Sequence, residues 1–218
     1  MSNVFFVGCG PGDPELITVK AKKLIQKADV VVYSGSLIPP TILKLCKKGK
    51  LYDASGLIRE EIFDVLYKNA KRDKLVVRLH DGDPSIYGAI KEQIDKLQEK
   101  GISSSVVPGV TAFLASAASL GTQLTLPGVT QTIIVTRAES RTKVPKREKI
   151  SELAKHKATL IFYLSVHLLT DIVKKIRDEK ITRTAIIIIS DVIDSKSYEY
   201  SKLYDKKFSH GYRKSKIK

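Results

Sequence analysis

Val4-Phe5-Phe6-Val7-Gly8-Cys9-Gly10-Pro11-Gly12-Asp13-Pro14 sets the frame of this chain: a short apolar run that breaks into a Gly/Pro loop. Unbroken apolar character over so few residues is the pattern of a strand buried on both faces. A helical pattern follows, with Leu16, Val19, Leu24 and Ile25 apolar among Lys20, Lys22, Lys23 and Lys27. Ala28–Tyr33 reads as a second strand, ending at Ser34-Gly35-Ser36 and the breaker pair Pro39-Pro40. Leu75–Leu79 reads as another and runs into His80-Asp81-Gly82-Asp83-Pro84. A helix is expected over Ser85–Lys100, then a strand over Ser105–Val107 closed by Pro108-Gly109. Apolar strands separated by helices specify an α/β fold with a mostly parallel sheet covered on both faces. In such sheets ligands bind outside the carboxyl ends of the strands, where these Gly-rich and polar turns fall.

The pattern changes after Pro108-Gly109. Val110–Gly121 is rich in Ala and Ser, which allows close packing or close approach to a ligand. Thr130–Thr136 and Thr159–Leu164 read as strands, Leu168–Lys180 as a helix with Ile172, Val173 and Ile176 on one face, and Ala185–Ile189 as a buried strand. Two α/β domains are expected, residues 1–109 and 110–218. There is no internal repeat, and the Lys-rich stretch Tyr212–Lys218 is expected to fray.

Composition narrows the class. The 218 residues carry 38 Lys+Arg against 23 Asp+Glu, a formal net charge of +15, with 43% hydrophobic and 28% charged residues. That balance suits a folded chain and excludes a disordered one. No apolar run approaches the roughly 18 residues of a membrane span, and Met1-Ser2-Asn3 offers no basic segment of a secretory signal. Cys9 and Cys46 cannot form a disulfide framework, so a cytoplasmic location is expected. The charge is uneven: +4 over residues 1–140 and +11 over 141–218. A Lys-rich solvated surface, a nucleic-acid partner and a polyanionic small molecule each account for such an excess. With 7% aromatic residues and no RNA-binding signature, a nucleic-acid partner is not expected.

The first loop imitates a dinucleotide-binding fingerprint and fails in detail. The third glycine of G-x-G-x-x-G is Asp13 here, and Pro11 removes a backbone donor that phosphates would need. Asp83 has two readings: a cap for the following helix, or a carboxylate that with Gly82 faces a hydroxylated or cationic ligand. His80, His156, His167 and His210 show no metal-ligand spacing with one another or with cysteine, and no metal site is expected. Cys9 has no nearby histidine to activate it, and neither a G-x-S-x-G elbow nor a Walker A loop is present.

Several motifs together carry a more specific signal. Val7–Thr18, Ala28-Asp29-Val30-Val31-Val32-Tyr33, Gly82-Asp83-Pro84-Ser85-Ile86-Tyr87-Gly88 and Val107-Pro108-Gly109-Val110-Thr111-Ala112 resemble, in this order, the tetrapyrrole methylases. Within that superfamily, Tyr33–Ile38, Arg78–Asp83, Thr136–Thr142 and Ser209–Arg213 resemble the precorrin-4 or cobalt-precorrin-4 C11-methyltransferases of cobalamin synthesis. The resemblance implies two α/β domains with a cleft between them, S-adenosyl-L-methionine as cofactor, a homodimer, and an anionic tetrapyrrole as substrate. Position by position, it implies cofactor contacts at Pro11, Gly82, Asp83, Ile86, Thr111, Ala112 and Leu164. The substrate's carboxylates call for cations and hydroxyls, for which Arg137, Arg141, Ser34, Ser36 and His80 are candidates. No residue is assigned as a base. The chain departs from the family near Leu168, where a strand–helix–strand unit is missing, so a shortened second domain is expected; the remaining path still allows a β-α-β connection. The competing readings are another precorrin methyltransferase, a diphthine synthase-like enzyme, or a degenerate relative that binds ligand without turnover.

Overall fold

Valines and aromatics on alternate faces build the first sheet. The structure is a computed structural model and describes residues 3–139, 142–165, 168, 187–189 and 193. The chain forms two compact units, Met1–Ala115 and Ser116–Lys218. In the first unit, β1 (Val4–Gly8), β2 (Val30–Tyr33), β3 (Lys50–Asp53), β4 (Val76–His80) and β5 (Ser104–Val107) form one sheet in the order β3-β2-β4-β1-β5. Every pairing is parallel: Val4 lies opposite Val76 on one side and Ser104 on the other, and Val30 lies opposite Lys50 and Val76. The expected parallel sheet is therefore present, with β4 at its centre.

Both faces are covered, as the unbroken apolar strands require. Val7, Val31, Val77 and Leu79 pack on one face with Ala21 and Ile25 of α1 (Val19–Lys27) and with Ile42 of the short α2 (Pro40–Leu43). Val4, Phe6, Val30, Val32 and Val76 pack on the other with Phe63, Leu66 and Ala70 of α3 (Arg59–Ala70) and Leu97 of α4 (Lys91–Glu99). Alternate side chains of a strand point to opposite faces, so each strand serves both cores at once. Thr18 caps α1 by accepting Ala21 N at 3.2 Å, and Glu61 holds the start of α3 by accepting Ile58 N at 2.9 Å.

The helix expected from Ser85 starts only at Lys91. Residues 84–87 form turns and 88–90 continue irregularly instead, because Tyr87 (φ 55°) and Ala89 (φ 49°) take left-handed backbone and Gly88 lies directly against the Pro84 carbonyl. A side chain at Gly88 would collide with that carbonyl. The Asp83 carboxylate accordingly serves this turn and not the first turn of α4.

In the second unit β6 (Ile133–Arg137) runs parallel to β7 (Thr159–Tyr163), with Ile133 opposite Thr159 and Arg137 opposite Tyr163. On the far side of β7, β8 (Ile187–Ile189) is antiparallel. The β-α-β connection expected there calls for a parallel neighbour, and β8 pairs with β7 in the antiparallel sense instead. Leu153 of α6 (Ile150–Ala154) packs on Leu160, Phe162 and Ile187. The Ala/Ser-rich stretch folds as α5 (Ala112–Ser119), which straddles the division between the units. The helix expected over Leu168–Lys180 lies outside the described residues apart from Leu168, as do Arg141 and Ser209–Arg213.

Candidate functional site

Five loops leave the carboxyl ends of the first sheet, and glycines lock three of them together. A Cβ built on Gly8, at the end of β1, would fall 2.5 Å from the Gly82 carbonyl oxygen and 2.7 Å from Gly109 N. Gly109, after β5, is equally closed in by Gly82 and Gly8. Only glycine tolerates approaches this close. The β1 and β4 loops also bond to each other: Gly82 N donates to Gly10 O at 2.9 Å, Gly10 N to Gly82 O at 3.3 Å, and Cys9 N to His80 O at 2.9 Å. Gly82 sits at φ +56°, buried, with Thr111 and Ala112 as its nearest neighbours across the edge. Main chain packs directly on main chain where these three loops meet.

Asp83 is the tie between two of these loops. One carboxylate oxygen accepts Ser85 N at 2.8 Å; the other accepts Gly109 N at 2.9 Å. It caps no helix, and its main visible task is to hold the β5 loop against the β4 loop. Ile86 follows within the same turn, half-buried, its N–H donating to Asp83 O at 3.2 Å. Pro11 lies half-buried beside Gly12, whose φ of +118° faces open space. Pro11, Gly82, Asp83, Ile86, Thr111 and Ala112 therefore all lie along one sheet edge within the first unit.

Ser34, Ser36 and His80 share that edge. Ser34 is half-buried after β2 and Ser36 is exposed. Asp53, at the end of β3, fixes the loop by accepting Gly35 N at 2.9 Å, and its own ties to Ser55 and Gly35 hold its carboxyl below the usual range. His80 is buried, its ring 6.1 Å from that of Phe6, and its Nε2 has no partner. Burial, aided by the charge of Arg78, pushes the imidazole down to about 3, so it is neutral at physiological pH. Burial likewise pushes the Cys9 thiol up to about 12, which leaves no thiolate for nucleophilic attack.

Arg78 was not singled out by the sequence reading. It occupies an interior position of the central strand, between Phe6 and Val32, and is 6% exposed. Its Nη1 donates to Val32 O and Leu79 O, and its Nη2 to Ser34 Oγ, all at 3.4 Å; its Nε has no partner. The signal for it is in the chain: Val76-Val77-Arg78-Leu79 places a charge in an otherwise apolar strand.

The second unit holds Arg137 and Leu164 at the ends of adjacent strands. The Arg137 guanidinium donates to Thr142 O at 3.0 Å and to Lys143 O at 2.9 Å, so much of its capacity closes the loop after β6. Leu164 is 67% exposed with a left-handed φ of 53°. Ser165 holds it there, accepting Ala138 N at 2.7 Å and donating to Tyr163 O at 2.6 Å. Among the described residues no cluster of His, Cys, Asp and Glu could hold a metal ion, and no helix is long and apolar enough to cross a membrane.

Comparison with known proteins gives this edge a family. The family model for tetrapyrrole (corrin/porphyrin) methylases matches residues 3–192. A cobalt-precorrin-4 C(11)-methyltransferase of Methanocaldococcus jannaschii is 45% identical over 249 aligned positions, covering 97% of this chain and 96% of that protein. With 218 residues to place against 249 positions, this chain lacks at least 31 of them. The X-ray structure of a cobalt precorrin-4 methyltransferase of cobalamin biosynthesis matches with a TM-score of 0.84 and 36% identity, over 88% of this chain and 96% of the other. A uroporphyrin-III C-methyltransferase of Thermus thermophilus, complexed with S-adenosylhomocysteine, matches with a TM-score of 0.63 and 32% identity, over 84% of this chain and 73% of its own. The chain belongs to the tetrapyrrole (corrin/porphyrin) methylases.

Proposed function

We propose that this chain is an S-adenosyl-L-methionine-dependent methyltransferase that methylates C11 of (cobalt-)precorrin-4 in cobalamin biosynthesis. The observation that carries the reading is the 45% identity to a cobalt-precorrin-4 C(11)-methyltransferase across nearly the whole of both chains.

The carboxyl edge of the first sheet suits the cofactor. Gly8, Gly82 and Gly109 let three loop backbones pack directly on one another, which brings main-chain groups to the edge with no side chains at these positions. An adenosyl and amino-acid moiety with several donors and acceptors is matched by such a main-chain lining. We assign Pro11, Gly82, Asp83, Ile86, Thr111 and Ala112 of the first unit and Leu164 of the second to the cofactor. The strained backbone of Leu164, pinned by Ser165, is the kind of feature that persists at ligand sites. When bound, S-adenosylmethionine supplies a methyl group on a sulfonium centre, activated toward an electron-rich ring carbon.

What the chain contributes is position and dryness. Asp83 fixes two loops with a single side chain, and the buried Gly82 and Thr111 keep water from the edge between them. His80 is neutral and Cys9 protonated, so neither puts a competing charge or nucleophile there. Ser34, Ser36, His80, Arg137 and Arg141 are assigned to the carboxylated substrate. We further infer a cytoplasmic homodimer that works on a small anionic tetrapyrrole and engages neither nucleic acid nor membrane, and we assign the shortfall of residues to the second domain, near Leu168.

That shortfall favours one second reading, a relative that binds ligand but has lost turnover. Cobalt-precorrin-4 incubated with the protein and methyl-13C-labelled cofactor separates the two. A single labelled methyl at C11 by NMR is expected. Calorimetric binding of S-adenosylhomocysteine without any labelled product establishes the second reading, and absence of binding at millimolar S-adenosylhomocysteine sinks both.

A further inference from the structure

We propose that Arg78, with the Ser34 hydroxyl and the His80 imidazole, forms a carboxylate-binding subsite that anchors one acidic side chain of the tetrapyrrole. The inference rests on the substrate reading above and names the group within this chain that would grip the substrate.

Arg78 is a buried cation with no counter-ion among the described residues. None of the ion pairs among the described residues includes it. It has only three contacts at 3.4 Å, near the outer limit of a hydrogen bond, and its Nε has none. A fork of five N–H donors is therefore loosely held. Burying a charge is costly unless it is paired and hydrogen-bonded, and an apolar residue of similar size at this position would pack between Phe6 and Val32 without that cost. The fold thus carries a charge that its own contacts do not use.

A second unpartnered group lies beside it. His80 is two residues further along the same strand, on the same face, with Nε2 buried and unsatisfied. Two unsatisfied groups on one face of a strand can share a missing partner, and for the guanidinium that partner is an acceptor of charge-assisted bonds. A planar carboxylate matches the guanidinium fork. The way in is marked by Ser34: Nη2 of Arg78 reaches its Oγ, which is half-buried at the carboxyl edge where the cofactor residues also lie. Neutral His80 can join as an uncharged donor, which suits a site where a second cation would repel the first.

Both the substrate's carboxylates and the amino-acid carboxylate of the cofactor have this chemistry, and equilibrium binding to the folded protein distinguishes them. Arg78→Met is compared with wild type for S-adenosylhomocysteine by calorimetry and for anaerobically prepared cobalt-precorrin-4 by its absorbance change. The expected result is an affinity for cobalt-precorrin-4 at least tenfold weaker, S-adenosylhomocysteine affinity within twofold, and an unchanged or higher melting temperature. Unchanged binding of cobalt-precorrin-4, or a loss confined to S-adenosylhomocysteine, would overturn the proposal. Should Arg78→Met not fold, Ser34→Val reads the same subsite by removing the hydroxyl and blocking Nη2, and unchanged cobalt-precorrin-4 affinity in that variant overturns the proposal equally. A wild-type protein that binds S-adenosylhomocysteine but not cobalt-precorrin-4 refutes the substrate reading itself, a different outcome from losing only the role of Arg78.

Discussion

Replacing Asp83 by alanine tests whether one carboxylate organises the site. Its bond to Ser85 N is exposed, and water can replace it at little cost. The bond to Gly109 N is part-buried, between loops too tight for a side chain, so that N–H is left without a ready partner. An unsatisfied donor there costs about 1–3 kcal/mol, and losing the exposed charge-assisted bond adds up to about 1 kcal/mol, for a total of about 1–4 kcal/mol. Asp83→Asn keeps one acceptor oxygen and is expected to lose about half as much. Urea unfolding followed by far-UV circular dichroism measures the loss, and calorimetry with S-adenosylhomocysteine measures the consequence, expected to be at least tenfold weaker binding in the alanine variant. An alanine variant within about 0.5 kcal/mol of wild type, below the ~1 kcal/mol minimum expected, refutes the tether. Full destabilisation with unchanged S-adenosylhomocysteine affinity refutes instead the placing of the cofactor along this edge.

Three further outcomes are expected. His80 is held down to about 3, below its unfolded value of 6.5, so the unfolded chain takes up a proton first as pH falls; stability present above 6.5 is lost toward 3, by about 2 kcal/mol between pH 7.5 and 5, and His80→Phe should remove that part of the slope in urea titrations at the two pH values. Gly8→Ala forces a methyl against the Gly82 carbonyl and should cost about 3 kcal/mol and abolish S-adenosylhomocysteine binding, whereas Gly56→Ala, with open space around it, should change neither in the same assays. In the native protein at pH 7.5 a thiol reagent should titrate the half-buried Cys46 and spare Cys9, whose buried thiol is pushed up to about 12, until denaturant is added.

The sheet was legible where strands are apolar throughout. Val30-Val31-Val32 and Val76-Val77 must be buried on both faces, and a parallel, doubly covered sheet follows from them. β3 escaped notice because Lys50-Leu51-Tyr52-Asp53 lies at the edge of the sheet, where a strand can carry charges. The late start of α4 was illegible for a different reason: Ser85-Ile86-Tyr87 has no helix breaker, and its turns come from left-handed backbone at Tyr87 and Ala89, residue types that do not announce it. At the site, the glycine loops announced themselves, since few residues other than glycine satisfy such approaches. The task of Asp83 did not, because its partner Gly109 is 26 residues away in sequence and the bond exists only once β5 lies beside β1. Arg137 read as free to meet a ligand, and its bonds to Thr142 and Lys143 depend on how one loop curls.

The net charge of +15 poses the same question at the scale of the whole molecule, and the structure answers it by location instead of amount. The ion pairs among the described residues join side chains that are roughly one-third to nine-tenths exposed, such as Lys68 with Asp64 and Lys155 with Glu152. Exposed pairs of this kind are worth about 0–1 kcal/mol each and are screened by salt, so they say little about a partner. An electrostatic patch built from them would bind any polyanion weakly and lose it as salt rises. Arg78 differs in kind. It sits in the +4 portion of the chain, away from the basic excess of the last 78 residues, and no carboxylate among the described residues pairs with it. A buried cation is screened far less than a surface one. If substrate affinity depends on Arg78, it should therefore fall only modestly between low and physiological salt, and charge reversal at an exposed site such as Lys68→Glu should leave it within twofold. A steep salt dependence, or a large loss in Lys68→Glu measured by the same absorbance titration, would mean that the diffuse surface charge holds the substrate and that the buried arginine does not.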